Sequence, residues 1–257
     1  EAAAALGRDD YRLLAERNAE FLLTELTRDG LLLHVYKDGQ AKHVAFHDDY
    51  ACVAAGLLAL YETTGDTRWL RETLALTARM NDEFWDEQEG GFFFTGRSGE
   101  QLIVRNKDFF DNATPSGNSV AAELLLRLSH LTGDEGHHRK AVTVLRLLRD
   151  ALARHPSAFG RLLAALDFYL SKPKEIAVVG TPGSEDFSLL AAEVWRRFLP
   201  NKVVALASEA DYEARELVPL LRERGTLDGR ATAYVCENYT CQQPVSDASE
   251  LAAQLGG

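Results

Sequence analysis

Cysteine is scarce in this chain: Cys52, Cys236 and Cys241 are the complete set in 257 residues. So small and odd a number excludes the disulfide framework of small secreted domains and makes a reducing compartment the expectation. Cys52 falls within an apolar helical pattern, which assigns it to the core. Cys236 and Cys241 stand too far apart for a Cys-x-x-Cys redox motif and have no His nearby, so neither redox chemistry nor zinc is expected there, and no metal elsewhere. No apolar run approaches the ~18 residues of a membrane span, and Glu1 to Leu6 has no basic stretch ahead of a hydrophobic one. A cytoplasmic protein without a membrane partner is expected. Bases are outnumbered 28 to 39, for a formal charge of -11, which argues against nucleic acid as a partner. Met80 is the single Met and the chain opens on Glu1, which suggests a piece of something longer.

What is present is a large apolar fraction, 46%, arranged mostly at helical spacing. Tyr11, Leu14, Phe21 and Leu22 predict a helix over 9–27. Residues 31–36 read as extended and turn at Asp38-Gly39 towards Val44. Asp48-Asp49 opens a helix carrying Val53, Leu57, Leu58 and Tyr61 that ends at Thr64-Gly65-Asp66. The next, with Trp69, Leu76, Met80 and Phe84, stops at Glu89-Gly90-Gly91 before the aromatic run Phe92-Phe93-Phe94. A helix over 118–131 ends at Thr132-Gly133-Asp134, a second copy of the first triplet 68 residues later, and helices through Leu145 and from Pro156 follow.

The repeated triplet marks a repeated helical hairpin, with Gly in the left-handed position that ends one helix and Asp capping the next. Antiparallel helices then place both triplets at one end and the long loops 28–47 and 88–117 at the other, a division that separates structure from function. After Lys172-Pro173 the period changes. Apolar runs at 176–179, 203–206 and 231–235, with a helix carrying Leu189, Leu190 and Trp195 after the first, another over 213–224 after the second and a last near 247–255, predict a three-stranded unit with parallel pairing. The expected domains are therefore 1–171, helical, and 172–257, α/β. Gly180-Thr181-Pro182-Gly183 lacks the third glycine of a dinucleotide fingerprint and the Gly-Lys-Ser/Thr of a P-loop, and acids follow it, so no nucleotide cofactor is expected.

The long loops hold the chemistry-bearing residues. Lys107 to Ser119 combines Lys107, Asp108 and Asp111 with the turn-formers Pro115 and Gly117 and the capping candidates Ser116 and Asn118. The other loop supplies His47, Asp48, Asp49 and Tyr50. Carboxylates accept hydroxyl hydrogens, Arg105 and Lys107 donate, and Tyr50 can stack on an apolar sugar face, so a small polar ligand such as a sugar fits this set. Asp49 and Asp111, with His47, are the candidate proton carriers; Asp48, Tyr50, Arg105, Lys107, Asp108, Ser116 and Asn118 are the candidate binding residues. Asp49 with Asp108 or Asp111 could equally serve as a glycosidase acid and base.

Phe46-His47-Asp48-Asp49-Tyr50-Ala51, Gly90-Gly91-Phe92-Phe93-Phe94-Thr95, Arg105-Asn106-Lys107, Asp111 to Val120 and Ala233 to Pro244 together resemble the C-terminal region of the thioredoxin-domain-containing family that includes spermatogenesis-associated protein 20. Asn112 and His47 depart from the family pattern, which has Gly at the first position and an apolar or acidic residue at the second. The resemblance implies a mainly α fold, the second half of an (α/α)6 toroid like that of N-acylglucosamine 2-epimerases and six-hairpin glycosidases, followed by the small α/β unit. It also implies a thioredoxin-like domain and a first half-toroid, from the same protein or another subunit, as partners. The expected activity is that of a sugar 2-epimerase or isomerase without a cofactor. A glycosidase-like hydrolase and a non-catalytic scaffold that binds a protein or sugar for the thioredoxin-like domain are the alternatives.

Overall fold

The computed structural model describes residues 1–100, 103–237 and 240–256; Gln101 and Leu102 of the second long loop and Asn238 and Tyr239 of the Cys236 to Cys241 segment lie outside them. The chain is mainly helical. A short helix α1 (Ala2–Leu6), which no apolar periodicity announces, precedes α2 (Asp9–Glu25). Strands β1 (Thr27–Arg28), β2 (Leu31–Lys37) and β3 (Gln40–Val44) then form an antiparallel meander in which Leu33 faces Val44 and Lys37 faces Gln40.

Helices α3 (His47–Thr64) and α4 (Thr67–Phe84) form one hairpin, and α5 (Gly117–Thr132) and α6 (Glu135–Leu147) the next. Both turns are built alike. Gly65 and Gly133 take φ of 71° and 70°, and Asp66 and Asp134 accept from the amides of Arg68 and Gly136. A short α7 (Arg149–Arg154) and a 3-10 turn at Pro156–Ala158 lead into α8 (Gly160–Leu170), so the helix expected to start at Pro156 starts as a tighter turn. Helices α3, α5 and α8 lie side by side, with α4 packed against α3 and α6 against α5. By contrast α2 buries only Ala19 and leaves Tyr11, Leu13, Leu14 and Phe21 exposed.

The C-terminal unit comprises β4 (Lys174–Val179), α9 (Glu185–Arg196), β5 (Lys202–Ala207), α10 (Tyr212–Leu217), β6 (Thr232–Glu237), β7 (Thr240–Cys241) and α11 (Ala248–Gln254). The helix expected over 213–224 breaks at Pro219, which cannot donate to the preceding turn and starts a 3-10 segment instead. Sheet order is β5-β4-β6-β7. Only β4 and β5 are parallel; β6 runs antiparallel to β4, with Val178 opposite Ala233, which corrects the expected all-parallel pairing. An apolar run reports that both faces of a strand are covered and carries no information on its direction. Both faces are covered here: Ala177, Val179, Val203 and Ala205 join the helical core, while Ile176, Val178, Val204 and Leu206 pack with Phe187, Leu190 and Leu251.

Candidate functional site

The ends of the hairpins differ as their loop lengths predict. At the turn end Gly65 meets β5 so closely that a Cβ there would stand 2.7 Å from the Leu206 carbonyl oxygen. At the other end the two long loops knit together: the His47 amide donates to Phe94, and the Phe94 amide to Asn106. Gly117 opens α5 against the start of α3, and its missing Cβ would lie 2.5 Å from Nδ1 of His47 and 3.0 Å from the Asp48 backbone. Only glycine permits this contact.

Most of the candidate residues spend their polar atoms on the chain itself. Asp111 accepts from the Ser116 amide with one oxygen (2.9 Å) and from the Arg161 and Leu162 amides with the other (2.7 and 3.3 Å), so it caps α8 and pins its own loop. Asp49 accepts from the Phe46 amide at 2.8 Å and meets Nδ1 of His34 at 2.7 Å. Arg105 donates to the carbonyls of Thr95 and Glu83 and lies over the Phe93 ring. Lys107 donates to Asp86 (2.6 Å) and to the Gly90 carbonyl (2.7 Å), a contact that holds the Asp86 carboxyl below its ordinary range. Ser116, and neither Asn118 nor Asp48, is a helix cap: its Oγ accepts from the Ser119 amide, while the buried Asn118 amide group bridges Phe92 and the Asp108 carbonyl. Asp108 itself is exposed, and Tyr50 is buried with its hydroxyl accepting from Leu32, so its ring presents no face to a ligand.

His47 is 2% exposed, its ring stacked on Phe92 at 4.6 Å, and burial drives its pKa down to about 3. A neutral imidazole sealed in an aromatic pocket packs; it does not exchange protons with a ligand. Nε2 of His47 has no hydrogen-bond partner, and Asp48 beside it is the acid of the set in the same state. It is half-buried, its Oδ1 has no hydrogen-bond partner, and burial, reinforced by Asp49, raises its carboxyl pKa.

One turn further along α3, Cys52 is exposed rather than in the core. Its thiol is pushed up by burial and by the charges of Asp48 and Asp49, with Arg161 opposing them. Arg161 itself begins a charged chain that the motifs do not announce. Arg161 Nε pairs with Glu123 (2.9 Å), Glu123 with Arg127 (3.9 Å), and Arg127 with Glu62 (2.6 Å). Glu62, 1% exposed, accepts the Val204 amide of β5. Glu123, Arg127, Arg161, Asp167 and Lys202 line a cavity of ≈ 530 Å³ between α5, α8 and the start of β5. The available signal was charge at i and i+4 in otherwise apolar helices, Glu123 and Arg127, which a surface stripe also produces. Among the described residues no group of three or more His, Cys, Asp or Glu is placed to hold a metal ion, and no helix is long and apolar enough to cross a membrane.

No protein-family model matches the chain. It is similar to spermatogenesis-associated protein 20 of Homo sapiens, 35% identical over 265 aligned positions that cover 98% of this chain and 34% of that protein. The protein of the same name from Rattus norvegicus is 37% identical over 213 positions, covering 82% of this chain and 27% of that protein. An uncharacterized protein of Caenorhabditis elegans is 30% identical over 246 positions, covering 92% and 33%. The chain therefore spans about a third of the length of these curated relatives, and the similarity supports the spermatogenesis-associated protein 20 family.

Proposed function

From that kinship we propose that the chain is the closing part of a ring of helical hairpins, in which α3, α5 and α8 form the inner wall and bind a small polar, sugar-like ligand beside their N-terminal ends. The reaction class this reading favours is proton transfer at a sugar, of the epimerase or isomerase type. Asp48 is the acid/base group, and Arg161 and Glu123 are the donor and acceptor for ligand hydroxyls. One observation carries the choice of Asp48: it is the carboxyl of the motif loops with a buried oxygen left unpartnered and a pKa raised by burial. The exposed apolar residues of α2 support completion of the ring by other segments, since they leave an apolar face to be covered.

The test is a screen of free and N-acylated sugars for binding and turnover. Asp48→Asn is expected to reduce turnover at least ~100-fold, the scale of a lost general acid or base, while leaving the melting temperature of the protein in place. Absence of sugar binding or turnover, or an Asp48→Asn protein as active as wild type, would sink this reading.

A second reading, that of a non-catalytic scaffold for a thioredoxin-like domain, draws on the structural employment of Asp111, Arg105 and Lys107. Under it no sugar changes the melting temperature, and Asp48→Asn binds the preceding part of its longer protein as tightly as wild type does.

A further inference from the structure

Cys236 and Cys241 are joined in a disulfide that ties β6 to β7, against the expectation of unpaired cysteines. Cys236 is buried and Cys241 exposed. The guanidinium of Arg224 reaches both sulfurs, with Nη2 3.1 Å from Sγ of Cys236 and 3.3 Å from Sγ of Cys241. A neutral disulfide is a weak acceptor for a cation, whereas a thiolate is a strong one. Elsewhere the Arg224 guanidinium lies over the Tyr234 ring at 5.2 Å, its Nη1 is buried without a hydrogen-bond partner, and burial lowers its pKa against the opposing charge of Glu175. Arg224 and both sulfurs line a cavity of ≈ 540 Å³ that His130 and Glu175 share, the two joined at 2.8 Å. Two-electron reduction would add an anionic sulfur within hydrogen-bond reach of this guanidinium, beside the Glu175 carboxylate.

We propose that Cys236 and Cys241 form a thiol–disulfide exchange site whose co-reactant is a dithiol entering through this cavity. A thiolate of the dithiol attacks the exposed Sγ of Cys241, a mixed disulfide forms, and the Cys236–Cys241 bond breaks with its electron pair on Cys236. Arg224 holds that leaving thiolate. The second thiol of the dithiol then attacks the mixed disulfide, releases Cys241 and departs as the dithiol's own disulfide. Two electrons and two protons pass from the dithiol to the pair. The site is independent of the sugar reading, since it adjoins the C-terminal end of α5, whereas that reading places its ligand beside the N-terminal ends of the inner-wall helices.

The full chain is equilibrated with mixtures of reduced and oxidised dithiothreitol, alkylated and weighed by mass spectrometry. The wild type is expected to gain two alkyl groups beyond Cys52 in a single native transition. Arg224→Met should need a ratio of reduced to oxidised reagent about tenfold higher, equivalent to about 30 mV, while Arg224→Lys, which keeps the cation, stays closer to wild type. Reduction only in denaturant, an unchanged midpoint in Arg224→Met, or two free thiols at Cys236 and Cys241 in air-oxidised protein would each overturn the proposal. Should Arg224→Met fail to fold, the alkylation rate of Cys241 in the reduced wild type, followed from pH 5 to 9, decides: its midpoint is expected at least about one pH unit below the ~8.5 of a free cysteine, as for a cation-stabilised thiolate, and a midpoint at or above ~8.5 overturns it.

Discussion

A carboxylate can be read from a sequence; its employment cannot. Asp111 stands among turn-formers just ahead of an apolar helix, which suits a site as well as a brace, and only the approach of α8, fifty residues on, assigns its second oxygen to the Arg161 and Leu162 amides. His47 is the same lesson in an imidazole, since its pocket is made by Phe84 and Phe92 from outside its own segment. The burial of His47 has a pH signature. Its pKa falls from 6.5 to about 3 on folding, so between those values the unfolded chain binds the proton and the folded chain does not. The stability this ring contributes is therefore complete above pH 6.5 and is lost as pH falls towards 3, at a slope of up to about 1.4 kcal/mol per pH unit. Urea melts of His47→Phe and wild type from pH 7 to 4 should show a shallower loss in the variant; parallel curves would mean the ring is not sealed.

Among the elements, those with a local cause were legible. The Thr-Gly-Asp turns recur because a left-handed residue and a cap are needed at each hairpin, and both glycines adopt that conformation. The helices they join follow from the spacing of Leu57, Leu58 and Tyr61 and of Leu124, Leu128 and Leu131. Strand direction was not legible, because β6 is chosen as a neighbour of β4 by the path of residues 208–231 and not by its own composition. Nor was the close approach of α5 to α3. Alanine ordinarily improves a helix over glycine, yet Gly117→Ala is expected to destabilise by about 2 kcal/mol, because its Cβ drives into His47 and the Asp48 backbone and overpacks a filled site. A chemical-denaturation midpoint at or above that of wild type would show that α5 can slide away.

For the whole molecule, the Glu62–Arg127 pair joins the helical layer to the sheet. Removing one partner leaves a buried charge alone and, for Glu62, frees the Val204 amide as well. Glu62→Ala should cost about 3–5 kcal/mol, and Glu62→Leu combined with Arg127→Met should recover much of that loss. Equilibrium unfolding of the two variants makes the comparison; a double variant no better than Glu62→Ala would mean the pair is more than a neutralised charge. Helix α1 contributes to the same union, with Ala4 packed among the residues between the sheet and α9, so the first residues of the chain are housed with the last.

Glu62 sits where it does beside the end strand of a sheet, and end strands carry unpaired amides onto which a foreign strand can zip. Here the carboxylate of a helix takes the Val204 amide and Gly65 presses on the Leu206 carbonyl, so the helix masks the strand's free margin. The residue that fastens the two layers thereby also occupies an edge amide that a foreign strand would need.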